Sequence, residues 1–401
     1  MAKRVVLAYS GGLDTSVAVA WLKEKLGLEV IAVAVDVGQG GDLEAVRKRA
    51  LESGAVEAVV LDGKKKFADE VLTKALGANA LYEGRYPLVS ALSRPLIVEL
   101  MVEEAKKFNA DGLAHGCTGK GNDQVRFEVA TRALAPELEI IAPVRTWNMT
   151  REESINYATE HGIKIPVTKD RLYSIDENIW GRAIECGELE DPFNSPPPDI
   201  WEMTVDKGEN ERDIVVGFAE GIPVSIDGEN MDFLTLLSKM NEIVGSYGFG
   251  RIDMVENRRV GIKSRETYEA PGALALIMCH RDLEGMTLER ELSHEKSRLE
   301  PKWAELAYDG LWFSPLMEAL NAFMDKTQKY VSGEVRLHLK SGSAVVNGRR
   351  SKLSLYDYDL ATYDASDSFR HEDAEGFIRI FGLGIETWAH KQKFKESDGR
   401  Q

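Results

Sequence analysis

The sequence predicts an α/β protein: a doubly wound parallel sheet at the N-terminal end, then an α+β domain, then a C-terminal helix. Three observations carry this. Over residues 1–165, short β-branched apolar runs alternate with helical patterns, as βαβ units with helices on both faces of a parallel sheet require. After about residue 165 the pattern changes to paired strands and longer helices. Near the end, large apolar residues form a separate helical stripe. These changes divide the chain into 1–165, 166–360 and 361–401.

Val5-Val6-Leu7-Ala8 is short and β-branched and predicts a buried strand over 5–9. Val17, Ala18, Ala20, Trp21, Leu22 and Leu26 recur at helical spacing until Gly27, which predicts a helix over 14–26. Further strands are predicted at 29–37, 55–61, 112–115 and 139–143. Helices at 42–53, 64–76, 93–107 and 123–135 lie among them. Thr150-Arg151-Glu152-Glu153 is a capping box that opens one more helix. Ser195-Pro196-Pro197-Pro198 marks an extended connector, because proline lacks the N–H that a helix or a central strand needs. Residues 213–227 predict two strands turning at Glu220-Gly221. Val335, Leu337 and Leu339 alternate with polar residues, and Gly342 precedes Ala344-Val345-Val346, a second hairpin. Helices are predicted at 231–244, 284–308 and 314–331. In the tail over 373–394, Phe377, Phe381, Ile385 and Trp388 share one helical face. Such a stripe packs either on its own core or on a partner subunit.

The chain has 401 residues, enough for two or three domains. It has no run of about 18 apolar residues, so no transmembrane helix and no membrane partner are predicted. Met1-Ala2-Lys3-Arg4 leads straight into the first strand and fits neither a signal peptide nor a transit peptide. Cys117, Cys186 and Cys279 lie far apart and are odd in number. They make no metal-binding pair and no disulfide framework, which points to a reducing, cytoplasmic location. The formal net charge of −16 opposes general nucleic-acid binding.

Three polar loops, 10–16, 36–42 and 116–123, fall at the carboxyl ends of predicted strands, where ligands of such sheets bind. The first lies within AYSGGLDTS. Its glycines let the backbone approach a ligand, and the helix start offers unpaired N–H groups. Ser10, Thr15 and Ser16 add hydroxyl donors. That is an anion site suited to phosphate. It is not a Walker A loop and lacks the spacing of a dinucleotide fold; Gly116-Cys117-Thr118-Gly119-Lys120-Gly121 also has the wrong spacing. HGCTGKGNDQVRFE follows a short strand and opens a helix. Asn122 and Asp123 are good N-cap residues, and Arg126 lies one turn on. One reading is a cap with an Asp123–Arg126 pair. The other is a site for amino-acid zwitterions: Arg126 for a carboxylate, Asp123 for an ammonium, Thr118 and Asn122 for a second carboxylate.

Ser-Gly-Gly-Leu-Asp-Thr-Ser resembles the pyrophosphate loop of the N-type ATP pyrophosphatases, which cleave ATP between the α and β phosphates. The resemblance implies that the loop holds the departing pyrophosphate and that Asp14 helps place magnesium (Mg2+), a hard cation that prefers oxygen ligands. Five blocks in order extend the likeness: AYSGGLDTS (8–16), ALYEGRYPL (80–88), HGCTGKGNDQVRFE (115–128), YSIDENIWGR (173–182) and GRIDMVENRRVGIKSRETYEAPG (250–272). Together they resemble the argininosuccinate synthase family over nearly the whole chain.

That resemblance implies an N-terminal sheet of the ATP pyrophosphatase type and a ligase of arginine biosynthesis. Citrulline and aspartate would be condensed with ATP into argininosuccinate, AMP and pyrophosphate through citrullyl-AMP. ATP contacts are implied at Ala8, Tyr9, Ser10, Gly11, Gly12, Leu13, Asp14, Thr15, Ser16, Val35 and Gly116. Aspartate contacts are implied at Thr118, Asn122 and Asp123. Citrulline contacts are implied at Tyr86, Asn122, Arg126, Ser174, Glu256 and Tyr268, with Arg182 at a variable contact position. Ala91 stands where some relatives have a serine and would act through its backbone. Asp14, Asp123 and Arg126 would carry the catalysis, and Asp14 would be the metal ligand. The amine proton would go to Asp123 or to a phosphate oxygen. The family also implies a homotetramer embraced by the C-terminal helix. Two rival readings fit less well. An amidotransferase-type or tRNA-thiolating ATP pyrophosphatase lacks support in the charge, the cysteines and the absence of a glutaminase domain. A non-catalytic nucleotide sensor would not need Asp14, Asp123 and Arg126 together.

Overall fold

The computed structural model describes residues 3–147, 149–164, 173–364 and 367–393. It falls into two compact units, 1–353 and 354–401. In the first, β1 (Arg4–Ala8), β2 (Glu29–Asp36), β3 (Glu57–Asp62), β4 (Gly112–Ala114) and β5 (Glu139–Ile141) form one sheet in the order β3-β2-β1-β4-β5. All its neighbours are parallel, as the sequence predicts. The strand order reverses between β1 and β4, so the loops after these two strands open side by side. Side chains alternate across the sheet. Val6, Ile31 and Val33 join the main core. Val5, Leu7, Val30 and Ala32 pack on the opposite face against Ala18, Val19 and Leu22 of the helix Leu13–Leu26. Burial on both faces explains the unbroken apolar runs.

Local signals set several ends, the predicted capping box among them. Thr150 and Glu153 form the capping box, with bonds of 3.2 and 2.6 Å. Asp42 caps the helix Leu43–Glu52 through Ala45 N. Other boundaries differ. The helix predicted at 93–107 begins at Val89, after Leu88 in the left-handed region (φ 65). Pro95 therefore lies inside it and has no N–H to give the Ala91 carbonyl. The segment predicted at 284–308 belongs to two helices, Pro271–Thr287 and Arg290–Tyr308, with Glu289 capping the second. The chain also takes a π-helical turn at Phe67–Leu72, within the predicted helix at 64–76.

Among the described residues nine strands follow: β6 (Ser174–Asn178), β7 (Gly181–Glu185), β8 (Arg212–Ala219), β9 (Ile222–Ile226), β10 (Glu229–Asn230), β11 (Arg251–Asn257), β12 (Lys263–Glu269), β13 (Gly333–Lys340) and β14 (Ser343–Arg350). The predicted hairpins at 213–227 and 335–346 lie in an antiparallel sheet ordered β10-β9-β8-β13-β14. A second antiparallel sheet, β11-β12-β7-β6, was not apparent in the sequence. The β6–β7 turn ties this sheet to the parallel one. Trp180 Nε1 donates to Pro87 O at 2.7 Å, Asn178 Nδ2 to Val89 O at 2.8 Å, and Ile179 N to Val37 O at 3.0 Å.

The second unit contains the helix His371–Trp388, which continues through Ala389–Lys393. It buries no residue. Phe377, Phe381, Ile385 and Trp388 are 64%, 79%, 71% and 47% exposed, so the stripe packs on no core within its own unit. Among the described residues, no helix is long and apolar enough to cross a membrane.

Candidate active site

The turn from β1 into the helix Leu13–Leu26 is built around two glycines. Gly11 has φ 77, and Arg49 Nη1 donates to its carbonyl at 2.8 Å. Gly12 occupies the N-cap without a side chain to bond the first turn, so those N–H groups face outward for an anion. Ser10 and Thr15 hydroxyls lie 3.2 Å apart at the mouth. Tyr9 and Ser16 face inward and hydrogen-bond each other at 2.9 Å. Ala8 ends β1, and Leu13 packs with Val17, Ala158 and Ile163. The Asp14 carboxylate has no hydrogen bond or ion pair among the described residues. Burial pushes its pKa up, against the opposing charge of Arg151. The backbone of the next loop comes in beside this turn: a Cβ on Gly116 would lie 2.9 Å from Thr15 Cγ2. Val35 is buried near the end of β2, and its carbonyl accepts from Gln39 Nε2 at 2.9 Å.

The 115–123 loop is braced by Gln124, whose Nε2 donates to Gly119 O and Gly121 O at 2.6 and 3.1 Å. Thr118 is left exposed at its tip. Asn122 precedes the helix Asp123–Leu134 but does not cap it; its φ, ψ are already helical. Its Nδ2 donates to the Tyr308 hydroxyl at 2.8 Å, and its Oδ1 accepts from Arg259 N at 2.9 Å. Asp123 is gripped by two arginines. Oδ1 accepts from Arg126 Nη1 at 2.8 Å, and Oδ2 from Arg94 Nε and Nη2 at 2.9 and 2.8 Å. Burial pushes the Asp123 carboxyl up, but Arg94 and Arg126 outweigh it and hold it at about 2. Arg126 Nε also donates to Tyr308 O at 2.9 Å.

Strand register assembles the rest. Ser174 pairs with Glu185, Asp176 and Tyr268 both pair with Ala183, and Glu256 pairs with Ser264. Paired residues share a face and neighbours along a strand alternate, so all of these lie on one face. Tyr268 donates to Glu256 Oε2 at 2.8 Å and stacks on Tyr86 with ring centroids 4.0 Å apart. Tyr308 donates to Glu256 Oε1 at 2.6 Å. Tyr86, Asn122, Arg126 and Glu256 thus meet at Tyr308, and Tyr268 joins them through Glu256 and Tyr86. Asp176 joins the same network through Arg94 Nη2 at 2.6 Å. Ser174 is exposed at the start of β6, and Ala91 is buried.

Arg182 is the exception. It pairs with Glu177 and Glu269, on the opposite face from Tyr268. Its Nη1 is bonded to Ile200 O and Glu269 at 2.6 and 3.0 Å, and its Nη2 to Glu202 at 2.8 Å. Glu269 also accepts from Met203 N and Thr204 N, both at 2.9 Å. The expectation that Arg182 contacts citrulline is therefore corrected: its guanidinium fastens the 200–204 segment to the sheet.

Two family models match the chain: the arginosuccinate synthase N-terminal HUP domain over residues 4–164 and the arginosuccinate synthase C-terminal domain over residues 173–388. An argininosuccinate synthase from Bacillus licheniformis is 55% identical over 394 residues, covering 98% of each chain. The chain belongs to the argininosuccinate synthase family. Its activity is that of an argininosuccinate synthase, an ATP-binding ligase of arginine biosynthesis.

For an argininosuccinate synthase, two contributors to this site escaped the sequence reading. Arg94 is a lone cation in the apolar stretch Val89–Met101, and such a charge needs a buried partner. That signal could have found it. Tyr308 ends a helix and reads as an ordinary core aromatic; no local pattern marks it. Among the described residues, no group of three His, Cys, Asp or Glu side chains could hold a metal ion. Magnesium at Asp14 fits that donor set only if phosphate oxygens supply most of its ligands, as is usual for this ion.

Proposed function

We propose that the chain joins citrulline to aspartate through citrullyl-AMP, with ATP bound across the loops after β1 and β4. The observation that carries this reading is the contact of Gly116 with Thr15, which brings the phosphate loop against the substrate loop. ATP would lie on residues 8–16, Val35 and Gly116. Magnesium, held by Asp14 and the phosphates, would neutralise charge on the departing group. Glu256 suits the citrulline ammonium and Arg126 its carboxylate. Tyr86, Tyr268, Asn122 and Ser174 supply neutral partners, and the Ala91 carbonyl lacks a helical donor because of Pro95. Thr118, Asn122 and Asp123 would receive aspartate. Among the described residues Asp123 Oδ1 accepts one bond, from Arg126, and a carboxylate oxygen can take a second from the aspartate ammonium.

In the first step the ureido oxygen of citrulline attacks the α-phosphorus. The bond to the bridging oxygen breaks, and pyrophosphate leaves toward Ser10–Ser16. In the second step the aspartate amine attacks the activated carbon, and the carbon–oxygen bond breaks with AMP as leaving group. The amine proton passes either to Asp123 or to an oxygen of the phosphate that departs with AMP. Positioning and charge neutralisation supply the rate. We also assign 1–165 to nucleotide binding, 166–360 to synthetase and assembly contacts, and 361–401 to an arm that buries its stripe in a cytoplasmic homotetramer. The test is a product assay. AMP, pyrophosphate and argininosuccinate should form together only when ATP, magnesium, citrulline and aspartate are all present. ADP and phosphate instead would overturn the reading.

A further inference from the structure

Tyr308 is the last residue of the helix Arg290–Tyr308 and is 1% exposed, yet four groups assigned to citrulline converge on it. Its hydroxyl donates to Glu256 Oε1 at 2.6 Å and accepts from Asn122 Nδ2 at 2.8 Å. Its carbonyl accepts from Arg126 Nε at 2.9 Å, and the Arg126 guanidinium lies 4.9 Å from its ring centre. Tyr86 meets its ring edge-on at 6.4 Å. Tyr82 stacks flat on it at 3.6 Å, and Gly310, two residues on, lies so close to the helix Asp123–Leu134 that a Cβ there would sit 2.8 Å from Arg126 Cα. Ring and backbone are therefore both fixed.

The proton directions are also fixed. Asn122 Oδ1 is occupied by Arg259 N, so its amide must present N–H to the phenol. The phenol has one proton and must give it to Glu256. Tyr268 gives its own proton to the other carboxylate oxygen. Glu256, itself 3% exposed, is thus arranged as an acceptor on both oxygens. Packing alone does not require this. An apolar aromatic would fill the same space without a hydroxyl aimed between an amide and a carboxylate.

We infer that Tyr308 is a positioning residue for citrulline: it fixes the anionic group for the substrate ammonium, Glu256, and the cationic group for its carboxylate, Arg126, at one spacing. The inference rests on the citrulline assignment above. It makes the spacing of the two charges a property of one side chain and one carbonyl, and so a determinant of how the α-amino-acid head group of citrulline is held.

Tyr308→Phe keeps the ring and the carbonyl and removes only the hydroxyl. Burial pushes the Glu256 carboxyl up, while the Tyr308 and Tyr268 bonds pull it down. Losing one bond leaves burial less opposed, so the acid limb of kcat/KM for citrulline should move to higher pH. At neutral pH the citrulline KM should rise roughly tenfold, with kcat and the KM values for ATP and aspartate within about twofold. Glu256→Gln is measured alongside. If Glu256→Gln raises the citrulline KM but Tyr308→Phe moves neither that KM nor the acid limb, the inference about Tyr308 is wrong. A parallel rise of all three KM values with a lowered Tm also overturns it. If Glu256→Gln leaves citrulline unaffected, the citrulline assignment itself fails.

Discussion

Gly116 meets Thr15 at a distance that excludes a side chain: a Cβ there would lie 2.9 Å from Thr15 Cγ2. Gly116 follows β4 and Thr15 follows β1, so the contact registers two loops across the switch point of the parallel sheet. Gly116→Ala should push them apart and raise the ATP KM about tenfold, a loss of roughly 1.4 kcal/mol. Adding Thr15→Ser removes the methyl and keeps the hydroxyl, so the double variant should recover most of that loss. An unchanged ATP KM in Gly116→Ala, or no recovery in the double variant, would separate nucleotide binding from this contact.

Asp14 lies half-buried at the phosphate loop with no hydrogen bond or ion pair among the described residues. Asp14→Asn preserves its shape and removes its charge. Turnover should fall at least about tenfold, and more magnesium should be needed to reach the half-maximal rate. Titrating magnesium at saturating ATP checks this. A normal magnesium dependence would remove Asp14 from the metal site.

The Asp123 carboxyl gives a pH signature. Despite burial, Arg94 and Arg126 hold it at about 2, below its ordinary 3.8. A depressed folded-state pKa adds stability above the unfolded value and loses it as pH falls through the folded value. The contribution of the Arg94–Asp123–Arg126 cluster should therefore be complete above about pH 4 and disappear between about pH 4 and 2. Denaturant unfolding of the unaltered chain and of Asp123→Asn should show a stability gap that narrows across that window. A gap constant from pH 6 to 2 would mean that the pairing does not govern this carboxyl.

The parallel sheet and its two ligand loops are legible because their signals are local. β-branched runs buried on both faces and glycine turns before helices need no distant partner to be recognised. The capping box at Thr150 and the turn at Glu220-Gly221 are legible for the same reason. The sheet β11-β12-β7-β6 is not. One of its faces carries Ser174, Asp176, Glu185, Glu256 and Glu266, which serve the polar cluster instead of an apolar core. β6, Ser-Ile-Asp-Glu-Asn, consequently carries no strand signal. The helix start at Val89 is obscured in another way, because proline favours the first turn of a helix and Pro95 sits beyond it. Arg182 could be placed only by register: one residue along the strand decides which face a side chain serves. Tyr308 joins the site through tertiary contacts alone.

The tail helix leaves Phe377, Phe381, Ile385 and Trp388 uncovered within its own unit, with the first two rings 5.4 Å apart. Such a patch calls for a partner surface. Removing the chain from Asp373 onward should lower the mass measured by light scattering below that of the full-length protein. An unchanged mass would mean that the stripe does not hold copies together.

The central claim is that the ureido oxygen of citrulline attacks the α-phosphorus of ATP. Citrulline carrying 18O in the ureido group, turned over with unlabelled ATP, magnesium and aspartate, tests it most directly. The label should appear in the phosphate of AMP, at one atom per argininosuccinate formed, with none in pyrophosphate. Unlabelled AMP beside newly made argininosuccinate, or label in pyrophosphate, would contradict the account.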